Sequence, residues 1–284
     1  MSIYWRCIRP GLLLTALFSM TVAALTADRP PPWPRLAHTL LGTALLMAGA
    51  TVMNQLMERR QDAKMDRTAS RPLPTGRLGI WQAVVLAASA TIAGIGYLAA
   101  MAPPMVAILA AVNWGVYVLI YTPLKRLSVW HLAIGAVAGG MPVLLGTATA
   151  DATFAPLSPA LFGIIFFWQF PHTSAVGWIY RRQYASGAIK VAAVVDPSGR
   201  LAGRLAMMGA AGLLLTSLIP AMLSAVGRPY VAIALPLGLI HLSFAVVFLN
   251  KPSDSNARAL WRMSLIHLPV LLTSLLLAGS RLAP

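Results

Sequence analysis

Residues 79–100 read GIWQAVVLAASATIAGIGYLAA, a run that contains no Asp, Glu, Lys or Arg. A helix needs about 20 apolar residues to cross a bilayer, so this run has the length and composition of a membrane span. It lacks the alternation of apolar and polar residues that marks a transmembrane β-strand. The run therefore predicts a membrane-spanning helix, and it sets the pattern to look for in the rest of the chain.

Apolar runs of this kind occur nine times along the sequence. They cover approximately residues 10–27, 36–56, 79–100, 104–121, 129–149, 159–180, 203–225, 230–249 and 263–280. The composition agrees, because only 10% of the 284 residues are charged and 58% are hydrophobic, whereas soluble proteins carry about 25% charged residues. We therefore expect an all-α, polytopic membrane bundle of about nine transmembrane helices, with residues 1–284 forming a single membrane-embedded domain.

The net charge of +15 arises from 22 Lys and Arg against 7 Asp and Glu, and we interpret it as a signal of orientation. A nucleic-acid-binding protein carries its basic patch on a soluble body, so we expect no nucleic-acid partner. With a cytoplasmic N-terminus, 18 of the 22 cations fall on the cytoplasmic side, as the positive-inside rule requires. The other four are Arg29, Arg35, Arg228 and Arg281. Residues 1–27 also fit a cleaved signal peptide, and both interpretations give the same loop assignment.

Acidic residues are scarce, yet three of the seven lie within nine positions at the end of the second run. With a preceding amide they form a series at spacing four: Asn54, Glu58, Asp62 and Asp66. On a helix each member is offset by about 40° from the previous one, so the series lines one face. Oxygen ligands suit Mg²⁺, which completes its coordination with water and substrate phosphates. The alternative is a solvated loop in which Glu58 and Asp62 pair with Arg59 or Lys64.

Two arginines follow the acidic series at the membrane edge. Arg67 and Arg71 share a face if the helix continues that far, and Pro72 and Pro74 then predict an extended segment. Arginine guanidinium groups match phosphate oxygens, although arginines that only fix orientation are an equal alternative here. Acids followed at once by arginines predict a site for Mg²⁺ and a diphosphate near the cytoplasmic face.

The sequence of residues 54–76, NQLMERRQDAKMDRTASRPLPTG, resembles the first signature of the UbiA superfamily of intramembrane prenyltransferases. Within that superfamily the resemblance is strongest to the heme O synthase (protoheme IX farnesyltransferase) family. Residues 121–126, YTPLKR, resemble its Tyr-Thr-x-x-Lys-Arg turn, and the glycines of residues 135–146 resemble its Gly-rich span. Residues 167–172, FWQFPH, resemble its Trp-Gln-x-Pro-His motif, the most discriminating of these matches.

The resemblance implies transfer of a farnesyl group from farnesyl diphosphate to a vinyl group of heme b, with addition of water, to give heme O. It implies Mg²⁺ as the cofactor, held by Asn54, Glu58 and Asp62, and a catalytic role for Tyr121 in shielding the allylic cation. The cations expected to bind the diphosphate are Arg67, Arg71, Lys125, Arg126, Arg181 and Arg182. We further expect a bacterial inner membrane location, and heme A synthase or oxidase assembly factors as candidate protein partners.

His172 closes the Trp-Gln-x-Pro-His motif, and its role stays open at this stage. An imidazole there can ligate heme iron, orient the acceptor vinyl group or hold the attacking water. The fourth alternative is a structural hydrogen bond without a part in the reaction.

Two positions depart from the pattern of the family. Arg60 stands where an acid is usual, and Gln183 replaces the aspartate of the second acidic site. Either one metal suffices, or Arg181, Arg182 and Lys190 bind phosphate instead, or the chain has diverged toward another substrate. The alternative functions are a UbiA-type prenyltransferase with an aromatic or quinone-precursor acceptor, and a non-catalytic membrane carrier of heme or isoprenoids.

Overall fold

A computed structural model describes residues 7–223 and 227–280, and these residues form helices and turns with no strand among them. Arg6 and Arg281, which entered the charge count, lie outside the described residues, as does the end of the predicted run 203–225. The helices are α1 (Pro10–Leu25), α2 (Trp33–Asp62), α3 (Asp66–Ala69), α4 (Ile80–Met101), α5 (Pro104–Gly115), a π-helix (Val116–Tyr121), α6 (Thr122–Leu127), α7 (His131–Thr149), α8 (Leu157–Ile179), α9 (Arg181–Ser186), α10 (Ala192–Val195), α11 (Arg200–Leu223), α12 (Gly227–Asn250) and α13 (Asp254–Ser280).

Seven helical segments among the described residues are long and apolar enough to cross a membrane. They are Trp33–Asp62, Ile80–Met101, Pro104–Leu127, His131–Thr149, Arg200–Leu223, Gly227–Asn250 and Asp254–Ala278. The predicted all-α membrane bundle is thus confirmed. The predicted runs that correspond to α1 and α8 fall outside these seven, so the count of nine spans stays a prediction, as does the cytoplasmic N-terminus.

Large apolar side chains cover the outside of the bundle. Ile92 on α4 is 72% exposed, and Met208 and Leu215 on α11 are 63% and 67% exposed. Helices that are apolar on their outer as well as their inner faces need a nonpolar solvent, and the hydrocarbon of a bilayer supplies it. These faces agree with an integral membrane protein whose surface contacts lipid.

Helix α2, which carries the predicted acids, is held mainly by close packing against α4. A Cβ added at Gly94 of α4 would lie 2.6 Å from the backbone nitrogen of Leu46 on α2, so only glycine permits this approach. Association of helices in lipid relies on such contacts between small residues, because apolar burial gives no driving force there. The packing therefore fixes the helix on which the site is built.

The end of α2 differs from the prediction in two ways. The helix ends at Asp62, whose carbonyl accepts hydrogen bonds from the Thr68 hydroxyl at 2.9 Å and from the Met65 N–H at 3.3 Å. Asp66 therefore begins the separate four-residue helix α3 and is exposed, so it does not extend the acidic face. The segment after Arg71 is a series of turns and not an extended strand, because Leu78 N–H bonds back to the Pro72 carbonyl at 3.1 Å.

Candidate active site

Three of the four members of the predicted series share the inner end of α2. Asn54, Glu58 and Asp62 are 0%, 8% and 1% exposed. Glu58 forms an ion pair with Lys125 at 2.7 Å, and Asp62 forms one with Arg71 at 2.6 Å. A buried carboxylate without a partner is strongly disfavoured, so these contacts account for how the acids tolerate burial. The alternative of solvated pairs with neighbouring loop cations is wrong.

Asn54 presents a free oxygen beside these two ion pairs. Its amide Nδ2 donates to the hydroxyl of Thr122 at 2.9 Å, whereas its Oδ1 is buried and has no hydrogen-bond partner within residues 7–223 and 227–280. Unsatisfied buried carbonyl oxygens are uncommon and need an explanation. An amide oxygen without a partner, next to two carboxylates, is a donor set that fits Mg²⁺.

An aromatic pair from the π-helix lies against Lys125. The ammonium of Lys125 is 4.5 Å from the centre of the Tyr121 ring, and Tyr117 stacks on Tyr121 with ring centres 5.4 Å apart. The Tyr121 ring occupies the space over Gly135 of α7, where a Cβ would approach to 2.6 Å. This close approach explains the need for glycine at that position of the Gly-rich span. Single π-helical turns often occur at functional sites, and this one places both tyrosines beside the buried lysine.

The segment around α3 contacts α9 through Arg67. Its backbone N–H donates to Gln183 Oε1 at 3.2 Å, its side chain donates to the Tyr184 hydroxyl at 2.9 Å, and its guanidinium lies 4.7 Å from the centre of the Tyr180 ring. Ser186 Oγ also donates a 2.9 Å hydrogen bond to the backbone carbonyl of Lys64, just after the end of α2. Gln183 stands in place of the family's second aspartate. Its side-chain oxygen thus lies against the segment that follows the acidic series and already accepts a hydrogen bond from Arg67 of that segment.

The remaining predicted cations point elsewhere. Arg181 pairs with Asp254 at 2.7 Å, donates to the Trp178 carbonyl at 2.7 Å and stacks over the Trp178 ring. Arg126 and Arg182 are exposed. The structure thus brings Arg71 and Lys125 into contact with the acids, whereas Arg67 contacts α9 and Arg181 is oriented toward α13. Diphosphate binding by these six cations stays a prediction.

An apolar cavity of about 240 Å³ lies between α1, α2, α5, the π-helix, α7, α8 and α13. Tyr117 and Tyr121 line it, and the Tyr121 ring, which lies 4.5 Å from the Lys125 ammonium, links it to the Glu58–Lys125 ion pair. Further into the bundle it is lined by Trp114, Trp168 and Gln169. The cavity combines apolar and aromatic walls with one cation, Arg9, in its lining. It suits a molecule with an apolar tail and an anionic head.

His172 lies beside this cavity. Its Nδ1 is 2.8 Å from Ser264 Oγ, and its ring stacks on Trp168 with centres 4.7 Å apart. Trp168 in turn donates through Nε1 to the Ser264 carbonyl at 2.8 Å. The hydrogen bond agrees with the structural alternative for His172, and it leaves Nε2 for an acceptor or a water molecule.

Sequence reasoning missed three residues of the site. Arg9 lines the cavity in a left-handed conformation (φ 54°) and interacts electrostatically with Glu58, although it was counted only as a topological charge. Tyr117 precedes Tyr121 by four residues, a spacing that could have placed both on one helix face. Thr122 is part of the Tyr-Thr-x-x-Lys-Arg match, but its contact to Asn54 spans 68 positions and could not be inferred from the motif.

Asp196, between α10 and α11, belongs to the loop and not to the site. It accepts hydrogen bonds from the Ser198 hydroxyl at 2.6 Å and from Leu201 N–H at 2.8 Å. The bond from Ser198 in particular lowers the pKa of this carboxyl. A partly exposed carboxylate used in this way stabilises the start of α11.

The fold and the site together indicate a membrane-embedded enzyme. A family profile described as the UbiA prenyltransferase family matches residues 12–266, and the chain belongs to this family; it is a prenyltransferase. The protoheme IX farnesyltransferase of Solibacter usitatus is 37% identical over 86% of this chain and 83% of its own. Seven further curated relatives with the same designation, two of them mitochondrial, are 33–39% identical.

Solved structures agree on the fold. A structure from work on digeranylgeranylglyceryl phosphate synthase matches with a TM-score of 0.82 at 14% identity, covering 99% of this chain and 98% of that chain. A UbiA homologue from Archaeoglobus fulgidus, bound to DMAPP and Mg²⁺, matches with a TM-score of 0.71 at 16% identity, covering 96% and 99%. At these identities the likeness supports the helical architecture alone.

Proposed function

We propose that this prenyltransferase moves a farnesyl group from farnesyl diphosphate to a vinyl group of heme b, with addition of water, and so makes heme O. The observation that carries the proposal is the pair of buried ion pairs, Glu58–Lys125 and Asp62–Arg71, together with an aromatic cavity whose lining residue Tyr121 lies against Lys125. The designation of the relatives as protoheme IX farnesyltransferases supports the choice of donor and acceptor.

Asn54, Glu58 and Asp62 are the residues that would hold Mg²⁺. Among the described residues there is no cluster of three His, Cys, Asp or Glu side chains suited to a metal. Two carboxylates with an amide oxygen are nevertheless enough, because Mg²⁺ usually takes only one or two protein carboxylates with water and substrate phosphates. When bound, the ion would neutralise charge on the diphosphate. A structure of the same fold from Archaeoglobus fulgidus was solved with DMAPP and Mg²⁺ bound, which supports the choice of Mg²⁺ as the metal.

Arg71 and Lys125 are held in place before the substrate arrives, because each is paired with a buried acid. We assign them to the phosphate oxygens, with Arg67 as a third donor at the segment that contacts α9. As the C–O bond breaks, the electron pair leaves with the diphosphate, and these cations stabilise the charge that develops there. Preorganised charges in a site of low polarity act more strongly than the same charges in water.

The apolar cavity receives the prenyl chain. The ring faces of Tyr121 and Tyr117 stabilise the allylic cation that bond cleavage leaves behind. The π electrons of the heme vinyl group form the new C–C bond, water adds to the resulting cation, and one proton is released. His172, whose Nδ1 is taken by Ser264, holds this water through Nε2 and accepts the proton.

We place the site at the cytoplasmic face of a bacterial inner membrane, with the whole chain acting as one prenyltransferase domain. The distribution of cations along the sequence supports this orientation. Heme A synthase and oxidase assembly factors would receive the product.

Expression of this chain in a bacterial strain that lacks heme O synthase tests the proposal. Analysis of extracted hemes should detect heme O, and the Asp62→Asn variant serves as the inactive control. Release of diphosphate without heme O in purified protein would point to an aromatic or quinone-precursor acceptor. Absence of both products would point to a carrier.

A further inference from the structure

Thr122 connects the π-helix to the proposed metal site. It is the first residue of α6, it is 3% exposed, and its hydroxyl makes two hydrogen bonds. Oγ1 donates to the Tyr117 carbonyl at 2.8 Å and accepts from Asn54 Nδ2 at 2.9 Å. These two bonds link the backbone of the π-helix to the first residue of the acidic face.

The direction of these bonds follows from the chemistry of a hydroxyl group. Threonine has one proton to donate and two lone pairs that accept. Because the proton goes to the Tyr117 carbonyl, Thr122 can only accept from Asn54, so the NH₂ end of the amide must face Thr122. The other end, Oδ1, is then turned away, and within the described residues it is the end left buried without a partner.

The π-helix makes this arrangement possible. In an α-helix a threonine hydroxyl bonds to the carbonyl three or four residues earlier. Here both the N–H and the hydroxyl of Thr122 reach the Tyr117 carbonyl five residues earlier. The wider turn thus fixes the threonine proton and, through it, the orientation of the Asn54 amide.

We propose that Thr122 is a positioning residue that holds the Asn54 amide with its oxygen toward the metal. This inference rests on the proposed function, in which Asn54 is a metal ligand. Without the threonine hydroxyl the amide is free to rotate, and in the rotated state it presents NH₂ to a cation. Groups that orient a metal ligand typically change metal affinity by about 10- to 100-fold when they are lost.

The test measures metal binding directly in purified protein with Mn²⁺ as the probe, by electron paramagnetic resonance in the presence of a non-hydrolysable farnesyl thiolodiphosphate. Thr122→Val, which keeps the shape and removes the hydroxyl, should weaken Mn²⁺ binding by about tenfold. Thr122→Ser, which keeps the hydroxyl, should retain binding close to that of the unaltered protein. Thr122→Ala replaces the valine variant if that variant does not fold.

A double-mutant comparison separates positioning from a general structural role. In an Asn54→Ala background, Thr122→Val should cause no additional loss of Mn²⁺ affinity, because the group it orients is gone. Equal Mn²⁺ affinity in Thr122→Val and the unaltered protein would overturn the inference, as would an undiminished effect in the Asn54→Ala background. If the unaltered protein binds no Mn²⁺, the proposed metal site itself fails, which is a different result.

Discussion

Two polar regions face each other at the same end of the bundle, and they differ in how deeply their charged groups are buried and how these groups are paired. The acidic region comprises Asn54, Glu58 and Asp62 with Arg71 and Lys125. The amide region comprises Gln183 and Tyr184 with Arg181. In the acidic region both carboxylates are buried and directly paired. In the amide region a neutral side chain accepts from the Arg67 backbone, and the ion pair of Arg181 with Asp254 keeps 29% and 45% side-chain exposure.

This difference indicates where electrostatic energy is concentrated. Charges that have lost their water interact strongly and depend on their partners, whereas exposed pairs are screened and contribute little. We infer that the acidic region supplies the chemistry, and that the amide region closes against it through Arg67. Four substitutions can break or refine this comparison.

Lys125→Met should have the largest effect, because it removes the direct ion-pair partner of the buried Glu58. Loss of one partner of a buried ion pair costs about 3–5 kcal/mol. Thermal unfolding in detergent should therefore show a marked loss of stability, and a second change, Glu58→Gln, should recover much of it without restoring turnover. Arg126→Met is the matched control, since Arg126 is the exposed neighbour. Equal unfolding temperatures for Lys125→Met and Arg126→Met would remove the energetic distinction.

Asp62→Asn should come next, with a fall in heme O formation of at least about 100-fold. The change preserves shape but removes the charge that faces Arg71 and the proposed metal. Asp66→Asn is the control, because Asp66 is exposed on α3 and should leave turnover unchanged. Undiminished turnover of Asp62→Asn at saturating Mg²⁺ would contradict the role of the acidic region in catalysis.

The sequence was sufficient for the parts of the site that depend on local spacing. Apolar runs indicated a helical membrane bundle, and the spacing of four placed Asn54, Glu58 and Asp62 on one face. The same rule failed for Asp66, because the helix ends at Asp62, where the Thr68 hydroxyl and the Met65 N–H both bond to the Asp62 carbonyl. Helix termination depends on such a capping contact, which spacing alone does not contain.

The partners of the acids could not be predicted, since they depend on how distant helices meet. Lys125 reaches Glu58 only because α6 packs beside α2, and Arg71 reaches Asp62 only because the intervening segment turns back. The π-helix likewise has no periodic signature in the sequence, although it determines where Tyr117, Tyr121 and Thr122 lie. The sequence therefore indicated the acids, whereas tertiary packing determined which cations they bind.

Arg181→Ala should have a smaller effect than either change in the acidic region. Its ion pair with Asp254 is partly exposed, and such pairs contribute no more than about 1 kcal/mol. We expect a modest loss of thermal stability and little change in KM for farnesyl diphosphate, whereas Arg71→Ala should raise that KM clearly. An equal rise in KM for both variants would show that Arg181 leaves Asp254 to bind the diphosphate.

Gln183→Asp should have the smallest effect, with heme O formation within about twofold of the unaltered protein. The new carboxylate would face Arg67, whose backbone N–H already bonds to Gln183 and whose side chain bonds to Tyr184. That guanidinium would neutralise the added charge and leave little of it for a second metal. Gln183→Asn, which shortens the side chain without adding charge, is the matched control. A gain of tenfold or more in Gln183→Asp alone would show that the amide region is a metal site that lost its ligand, and the two regions would then be equivalent in chemistry.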